Sequence, residues 1–321
     1  MAGAAGYAVL DHRGVVAVSG EDRAAFLQGL VSADMLRVTE SRAAYAVFLT
    51  PQGKFLHDFT IIDSGGIASG GALLLDPETE RRADLLRRLK IYKLRSRIAL
   101  EDRAATLRVA VAFGDGALAA LGLPVSGGPV SGVPDDAGAA VPFGGGIAFV
   151  DPRLPALGAR LFLPAEGLAA LEQAGLERRD AADYDRLRLS LGVPEGSRDL
   201  IPEKSIPLEN RLDGLNAIAW DKGCYMGQEL TARTKYRALI KKKLFPVTVD
   251  GPLPEPGTPV TLDGRDIGEL RSGRDGGGRA ATMALALLRL EDARQAVDGG
   301  LVLQAGDSAL RPSTPDWDAT P

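Results

Sequence analysis

The order of strand and helix patterns along the first third of the chain is the feature that most limits its possible folds. A short β-rich run at residues 14–20 is followed by a stripe of apolar residues with helical spacing at 21–34. Two β-rich runs then flank the turn "TPQGK", and a third run, an amphipathic helix and a fourth run follow. Because strands and helices do not alternate regularly, the sequence predicts an α+β fold and not a parallel βαβ series.

The last third of the chain has a different pattern. From "LFPVTVDG" to "GLVLQAG" it consists of short strand-like runs separated by Gly and Pro turns, which is typical of a small β-barrel. We therefore predict an α+β body at residues 1–241 and a C-terminal β-barrel at 242–311. Residues 312–321, rich in Pro and polar residues, are expected to be a flexible tail.

Composition is that of a globular protein with two or three compact parts in 321 residues. Apolar runs are shorter than the ~18–20 residues of a membrane span, and the N-terminus lacks a secretory signal pattern. We therefore expect a cytoplasmic protein with no membrane partner. One cysteine excludes an intrachain disulfide, and with only two histidines no self-contained metal site is expected.

Charge is distributed unevenly. The net charge of −4 argues against a surface that binds nucleic acid throughout. Residues 221–243, however, contain seven bases and two acids, a local excess of +5. This basic run is either a solvated face or a patch that steers anions toward a site.

The only cysteine, Cys224, lies in the stretch "KGCYMGQE". Gly223 and Gly227 flank it, and their lack of side chains would let another group approach the sulfur. Lys222 and a helix N-terminus expected near Gln228 would favour the thiolate. Free cysteine is also among the most buried residue types, so these residues leave two interpretations open: a reactive thiol, or a small hydrophobic residue in a tight turn.

The neighbours of the cysteine are given supporting roles. Lys222 would favour the thiolate or an incoming anion, and Tyr225 would brace the loop by packing. Gln228 and Glu229 would cap the backbone or orient a bound group. Cys224 itself is the candidate catalytic residue, and we expect it to be reachable from solvent.

The same stretch resembles the K-G-C-Y-x-G-Q-E signature of the YgfZ family, whose members bind folate and assist the maturation or repair of iron–sulfur enzymes, including enzymes that modify tRNA. The resemblance covers most of the chain, because four other regions are similar to the family. These are "RGVVAVSGEDRAAFLQGLVSAD", "LTPQGKFLHDF", "LRLSLGVPEG" and the barrel runs "IGELRS" and "ALALLRLEDA". The wider superfamily includes the glycine-cleavage T-protein, an aminomethyltransferase that uses tetrahydrofolate.

The resemblance implies a T-protein-like body of two intertwined α+β subdomains. They would lie at about 1–102 with parts of 180–241, and at 103–179. It also implies a cavity for tetrahydrofolate or a derivative. A pterin has a stackable face, and its glutamate tail is anionic.

Three residues match folate-contact positions of the family. Tyr184 would stack on the ring system or else pack on a helix face. Arg13 would pair with the glutamate tail or else be an exposed turn charge. Arg188 is a third candidate, with a salt bridge inside the fold as the alternative.

Two positions depart from the T-protein pattern. Arg160, a further candidate folate contact, aligns with a carboxylate that faces the pterin edge, and an arginine cannot accept hydrogen bonds from the pterin N–H groups. Asp76 is a partial counterpart of the superfamily's catalytic aspartate, and it is equally a candidate helix N-cap before Pro77.

Three functions are therefore compared. The first is a folate-binding accessory factor for iron–sulfur proteins, with iron–sulfur client or assembly proteins as partners and an indirect effect on tRNA. The second is a tetrahydrofolate-dependent aminomethyltransferase or other one-carbon transferase. The third is a non-catalytic scaffold that holds folate. Whether the chain is an enzyme is left open.

Overall fold

The structure is a computed structural model that describes residues 3–65, 71–125, 136–237, 240–278 and 280–318. These residues divide into two units. Unit 1 contains Met1–Leu49, Leu56–Tyr184 and Leu215–Met226, and unit 2 contains Thr50–Phe55, Asp185–Gly214 and Gly227–Pro321.

Unit 1 is built from eleven strands in two sheets. The strands are β1 (Gly6–Val9), β2 (Val16–Ser19), β3 (Ala44–Leu49), β4 (Phe55–Asp63, with Phe55 counted in unit 2), β5 (Ala72–Leu75), β6 (Ala99–Asp102), β7 (Arg108–Phe113), β8 (Ala140–Phe143), β9 (Gly146–Val150), β10 (Ala159–Leu163) and β11 (Glu177–Arg178). One sheet has the order β3–β4–β5–β2–β6, and the other has the order β11–β1–β7–β10–β9–β8. The strand pairs β2–β5, β2–β6 and β7–β10 are antiparallel, as expected for an α+β fold.

Helices cover these sheets. They are α1 (Arg23–Gln28), α2 (Arg82–Lys93), α3 (Ala117–Ala120), α4 (Ala169–Gln173) and α5 (Ala181–Ser190), the last of which continues into unit 2. Phe26 and Leu27 of α1 and Leu85 and Leu89 of α2 share one buried cluster with Phe59 of β4. Burial of each such side chain contributes about 1.5–3 kcal/mol, so this cluster fixes both helices on the five-stranded sheet.

Helix α2 begins later than the sequence predicts. The expected start was at Pro77, but the helix begins at Arg82. The intervening backbone pairs elsewhere, because the Gly14 amide donates to the Pro77 carbonyl and the Thr79 amide to the His12 carbonyl. Asp76 is consequently not a helix N-cap.

Unit 2 contains the predicted barrel. Its strands are β12 (Lys242–Asp250), β13 (Pro259–Leu262), β14 (Arg265–Arg274), β15 (Thr282–Arg289), β16 (Leu303–Ala305) and β17 (Ser308–Pro312). They close in the order β12–β15–β14–β13–β16–β17 around a core that includes Phe245, Leu270 and Leu310. Closure leaves no unpaired sheet edge, which confirms the barrel expected from the spacing of strands and turns.

Three further helices belong to unit 2. They are α6 (Gly196–Asp199), α7 (Gln228–Tyr236) and α8 (Leu290–Gly299). None of the helices in the described part of the chain has the length and hydropathy of a transmembrane segment.

The C-terminal tail differs from the expectation of flexibility. The Trp317 indole N–H donates to the Leu191 carbonyl at 2.7 Å. The Asp318 carboxylate is buried and pairs with Arg211 and with Lys243. An aromatic ring and a paired carboxylate therefore hold residues up to 318 against unit 2.

A buried histidine in unit 1 makes stability depend on pH. His57 is 1% exposed, and its Nε2 lies 2.9 Å from Asp84 Oδ2. Burial lowers the pKa of His57 from 6.5 to about 4, because desolvation disfavours the imidazolium. The unfolded chain then binds the proton more tightly, so this stabilisation is complete above pH 6.5 and is lost as the pH falls toward 4.

We expect the substitution His57→Gln to flatten this pH dependence. Between pH 7 and pH 5 the free energy of unfolding of the wild type should fall by about 2 kcal/mol more than that of the variant. Urea denaturation of both proteins across this range measures the difference. Parallel curves would show that His57 is not protonated on unfolding.

Candidate functional site

The loop that carries Cys224 is fastened to the segment after α1. In unit 1 the Ala219 amide donates to the Ser32 carbonyl at 3.0 Å, and the Met226 amide donates to the Gly29 carbonyl at 3.1 Å. The Ser32 hydroxyl donates to the Ala217 carbonyl. Contacts at both ends fix the position of a loop that lacks regular secondary structure.

Lys222 supplies the strongest of these connections. Its ammonium donates to the carbonyls of Gln28 at 2.8 Å, Val31 at 2.8 Å and Ala33 at 2.7 Å. An ammonium has three donors, so all of them are used on the backbone of this segment. Burial lowers the pKa of Lys222 to about 8, with the charge of Asp34 opposing the shift. Lys222 therefore anchors the loop, and its effect on a thiolate or an anion stays a prediction.

Tyr225 and Met226 pack inward while the cysteine does not. Tyr225 is 7% exposed, its ring lies 5.2 Å from the Lys222 Nζ, and burial raises its pKa to about 12. Met226 packs on the core cluster of the five-stranded sheet. Cys224 and Gly223 are exposed, and apart from Gly223 and its two chain neighbours no described residue lies within 4 Å of the position that a Gly223 Cβ would take. The thiol is therefore presented to solvent by a loop whose other large side chains are held.

The rest of the signature belongs to unit 2. Gly227 has a φ of +81°, which favours glycine, and it precedes α7, whose first residue is Gln228 as predicted. The Thr231 hydroxyl donates to the Gly227 carbonyl at 2.9 Å. Glu229 lies in the first turn of α7, where a carboxylate is favourable to the helix dipole.

Gly53 of the turn "TPQGK" packs on this helix start, also within unit 2. A Cβ at Gly53 would lie 3.1 Å from the Gly227 carbonyl oxygen and 3.3 Å from the Thr231 Oγ1. The φ of Gly53 is +67°. A side chain at this position would strain the backbone and crowd the helix start.

Three of the predicted folate contacts are buried together in unit 1. Arg13 donates to Asp58 at 3.3 Å, and Arg160 pairs with Asp76. The Tyr184 hydroxyl accepts hydrogen bonds from Arg153 at 2.9 Å and from Arg160 at 3.5 Å.

Arg13 is 5% exposed, and Arg160 and Tyr184 are 1% exposed. Buried charges require such pairing because desolvation of an isolated ion is very costly. The predicted contact groups are therefore paired inside the protein, and their contact with folate stays a prediction.

We call the six charged residues of this network the arginine–aspartate cluster. Its members are Arg13, Asp58, Asp76, Asp151, Arg153 and Arg160.

Three positive and three negative charges balance in this cluster, and neighbouring polar groups add hydrogen bonds to it. Asp76 also accepts from the Thr60 amide at 2.6 Å and from the Thr60 hydroxyl at 2.7 Å. Tyr45 donates to Asp58 at 2.8 Å.

The charges of the cluster set its protonation. Burial alone would raise the pKa of Asp151, but the charges of Arg153 and Arg160 outweigh it and hold that pKa below its ordinary value. Burial and the charge of Asp58 raise the pKa of Tyr45 well above its ordinary value. Asp151 is therefore charged at neutral pH.

Arg188, the fourth predicted folate contact, lies in a separate network in unit 2. It is fully buried and donates to Asp185 at 2.6 Å, to Asp199 at 2.9 Å and to Ser272 at 2.8 Å. Arg198 and Arg274 also pair with Asp185. The salt bridge inside the fold, which was the alternative for Arg188, is what the structure contains.

Sequence reasoning missed half of the cluster. Arg153 and Asp151 stand two residues apart in "VDPR", and their side chains pair at 2.8 Å. The available signal for this pair was an acid and a base that directly follow a buried apolar run. Asp58 stands within β4, between the apolar residues Leu56 and Phe59, and a carboxylate in such a run is expected to be buried and paired.

The fold places the chain in a known class. Its structure is similar to the crystal structure of the glycine cleavage system aminomethyltransferase T from Bartonella henselae, with a TM-score of 0.68 and 16% identity over 97% of this chain and 86% of that one. A family profile described as "CAF17, C-terminal beta-barrel domain" matches residues 241–320. The fold is thus that of the aminomethyltransferase T type, with a CAF17-type barrel.

Curated relatives give the family. The chain is 34% identical to the human "Iron-sulfur cluster assembly factor IBA57, mitochondrial" over 96% of this chain and 84% of the relative. It is 33% identical to the Aspergillus fumigatus homologue over 89% of this chain and 70% of the relative. The chain belongs to the IBA57 family of iron–sulfur cluster assembly factors, which confirms the resemblance to YgfZ-type proteins. The relatives are named as mitochondrial proteins, and this contradicts the cytoplasmic localisation expected from the sequence.

We expect the substitution Lys222→Met to destabilise the loop of Cys224. The variant keeps an apolar stem but leaves three carbonyls without a donor, at a cost of about 3 kcal/mol in the free energy of unfolding. Amide hydrogen exchange in residues 28–33 should rise at the same time. The control is Lys90→Met, which removes an exposed lysine from α2. Equal stability of the two variants would show that Lys222 is not an anchor.

Proposed function

We propose that this chain assists the assembly or repair of iron–sulfur proteins and that Cys224 is the group that contacts the iron–sulfur substrate or its sulfur donor. The observation that carries the proposal is a single exposed thiol on a loop held by Lys222. A thiolate is the usual protein ligand of iron–sulfur clusters and is also a sulfur acceptor.

One thiolate is too few to hold a cluster. Protein-bound clusters ordinarily use about four cysteine ligands. Within the described ranges no group of three or more His, Cys, Asp or Glu side chains is arranged to hold a metal ion. The remaining ligands would come from a partner, so the proposed role is that of an accessory factor acting with a client or assembly protein. An effect on tRNA modification would follow indirectly, through iron–sulfur enzymes that modify tRNA.

The proposal predicts that Cys224→Ser abolishes function without a change in stability. The exposed side chain contributes little to packing, so the free energy of unfolding should change by less than about 0.5 kcal/mol. Function is measured as iron–sulfur enzyme activity in cells that lack the related factor.

A matched control moves the thiol to another exposed position. The double variant Cys224→Ser/Ser190→Cys keeps one exposed cysteine in the chain and should remain inactive. Full activity of Cys224→Ser would exclude a role for the thiol and would favour a scaffold or a one-carbon transferase.

Binding of a reduced folate is the finer proposal, and the likeness of the fold to an aminomethyltransferase supports it. The predicted contacts Arg13, Arg160 and Tyr184 are each paired in the interior of unit 1. Calorimetry with tetrahydrofolate and its polyglutamyl form should give binding that the longer tail strengthens. Tyr184→Phe keeps the ring and should leave the affinity within about twofold of the wild type. An absence of heat at high micromolar folate would refute the proposal.

The transferase alternative is weaker on one specific point. Asp76, the partial counterpart of a catalytic aspartate, is fully buried and is held by Arg160 and Thr60. A carboxylate in these contacts is not positioned to exchange a proton with a substrate at a surface.

A further inference from the structure

An open pocket in unit 2 has an unusual concentration of unpaired positive charge. Its volume is about 1090 Å³, and it lies where the first residues of β12 meet the start of α8. Five cationic side chains line it, namely Lys241, Lys242, Arg265, Arg289 and Arg294, together with the carboxylates of Glu291 and Asp292. The pocket therefore has an excess of +3 in a chain with a net charge of −4.

Most of these cations have no ion pair. Arg265 is neutralised by Asp292 at 3.0 Å. Lys241, Lys242, Arg289 and Arg294 make no ion pair with any residue in the described ranges. Lys241, Arg289 and Arg294 are also exposed, so their charges are available to a ligand.

The field of these cations extends into the neighbouring interior. Burial and the charge of Arg211 lower the pKa of Lys243 to about 8, and the charge of Arg294 acts in the same direction. Positive charges gathered around a concave surface focus the potential and attract anions.

We propose that this pocket, which we call the barrel pocket, binds an acidic peptide segment of a partner protein. Two features favour a peptide over a nucleic acid. Glu291 and Asp292 would repel a continuous phosphodiester backbone, whereas they can accept hydrogen bonds from peptide N–H groups. Ile240 and Leu290 supply apolar surface among the cations, which suits aliphatic side chains that flank acidic residues.

The pocket is independent of the thiol site. It lies wholly in unit 2, and none of its lining residues belongs to the Cys224 loop. The inference goes beyond the function proposed above, and loss of peptide binding in a variant does not require loss of the thiol's reactivity.

The test is fluorescence anisotropy with the full chain and a short labelled peptide of glutamate and leucine residues. The reference probes are the same peptide with glutamine in place of glutamate and a short single-stranded RNA. The acidic peptide should bind, the glutamine peptide should not, and affinity should fall as salt is raised from about 50 mM to about 300 mM. Tighter binding of the RNA than of the peptide would overturn the proposal.

Paired variants locate the binding. Arg289→Gln/Arg294→Gln removes two charges from the barrel pocket and should weaken peptide binding about five- to tenfold. Lys204→Gln/Arg311→Gln removes two exposed charges of unit 2 outside the pocket and should change binding less than about twofold. Thermal unfolding verifies that both proteins are folded. No binding by the wild type at millimolar peptide, or equal losses in the two variants, would reject the barrel pocket as the site.

Discussion

The hydrogen bonds of one buried ammonium determine what the Cys224 loop can present. Lys222 donates to three carbonyls of the segment after α1, and these bonds tie two irregular segments of unit 1 together. An ammonium that is removed from water must find such acceptors, and the carbonyls of a turn need donors for the same reason. The ammonium and the carbonyls therefore supply the hydrogen-bond partners that each needs. The result is a loop in which the cysteine is exposed while the residues beside it are held.

The arginine–aspartate cluster meets the same need of buried charges for partners, in the interior of unit 1. Arginine suits such a site, because its planar group can bond two partners at once and stays charged when buried. Arg160 uses this to join Asp76 to the Tyr184 hydroxyl, and Arg153 joins Asp151 to the same hydroxyl. The strands of both sheets are linked by these bonds, since Asp76 follows β5 and Arg160 belongs to β10. Removing one charge would leave its partner buried and unpaired, which is costly.

The sequence predicts the strand patterns better than it predicts the roles of charged residues. The hairpin around "TPQGK", the barrel after Lys241 and the helix start at Gln228 follow from turn residues and local periodicity, which act over a few residues. Arg13 and Lys222 have partners 45 residues or more away along the chain, and no local pattern reports such pairing. The expectation of a flexible tail differs from the structure for the same reason, because the Trp317 indole N–H donates to the carbonyl of Leu191, 126 residues away.

The basic run at residues 221–243 illustrates the difference between charge along a chain and charge on a surface. The Lys222 ammonium donates its hydrogen bonds to carbonyls inside unit 1, and Lys243 pairs with the buried Asp318 in unit 2. Lys241 and Lys242 line the barrel pocket, where the start of α8 brings Arg289 and Arg294 beside them. A count of bases along the sequence therefore misses the barrel pocket, because its lining residues come from three separate parts of the chain, at 240–242, at 265 and at 289–295.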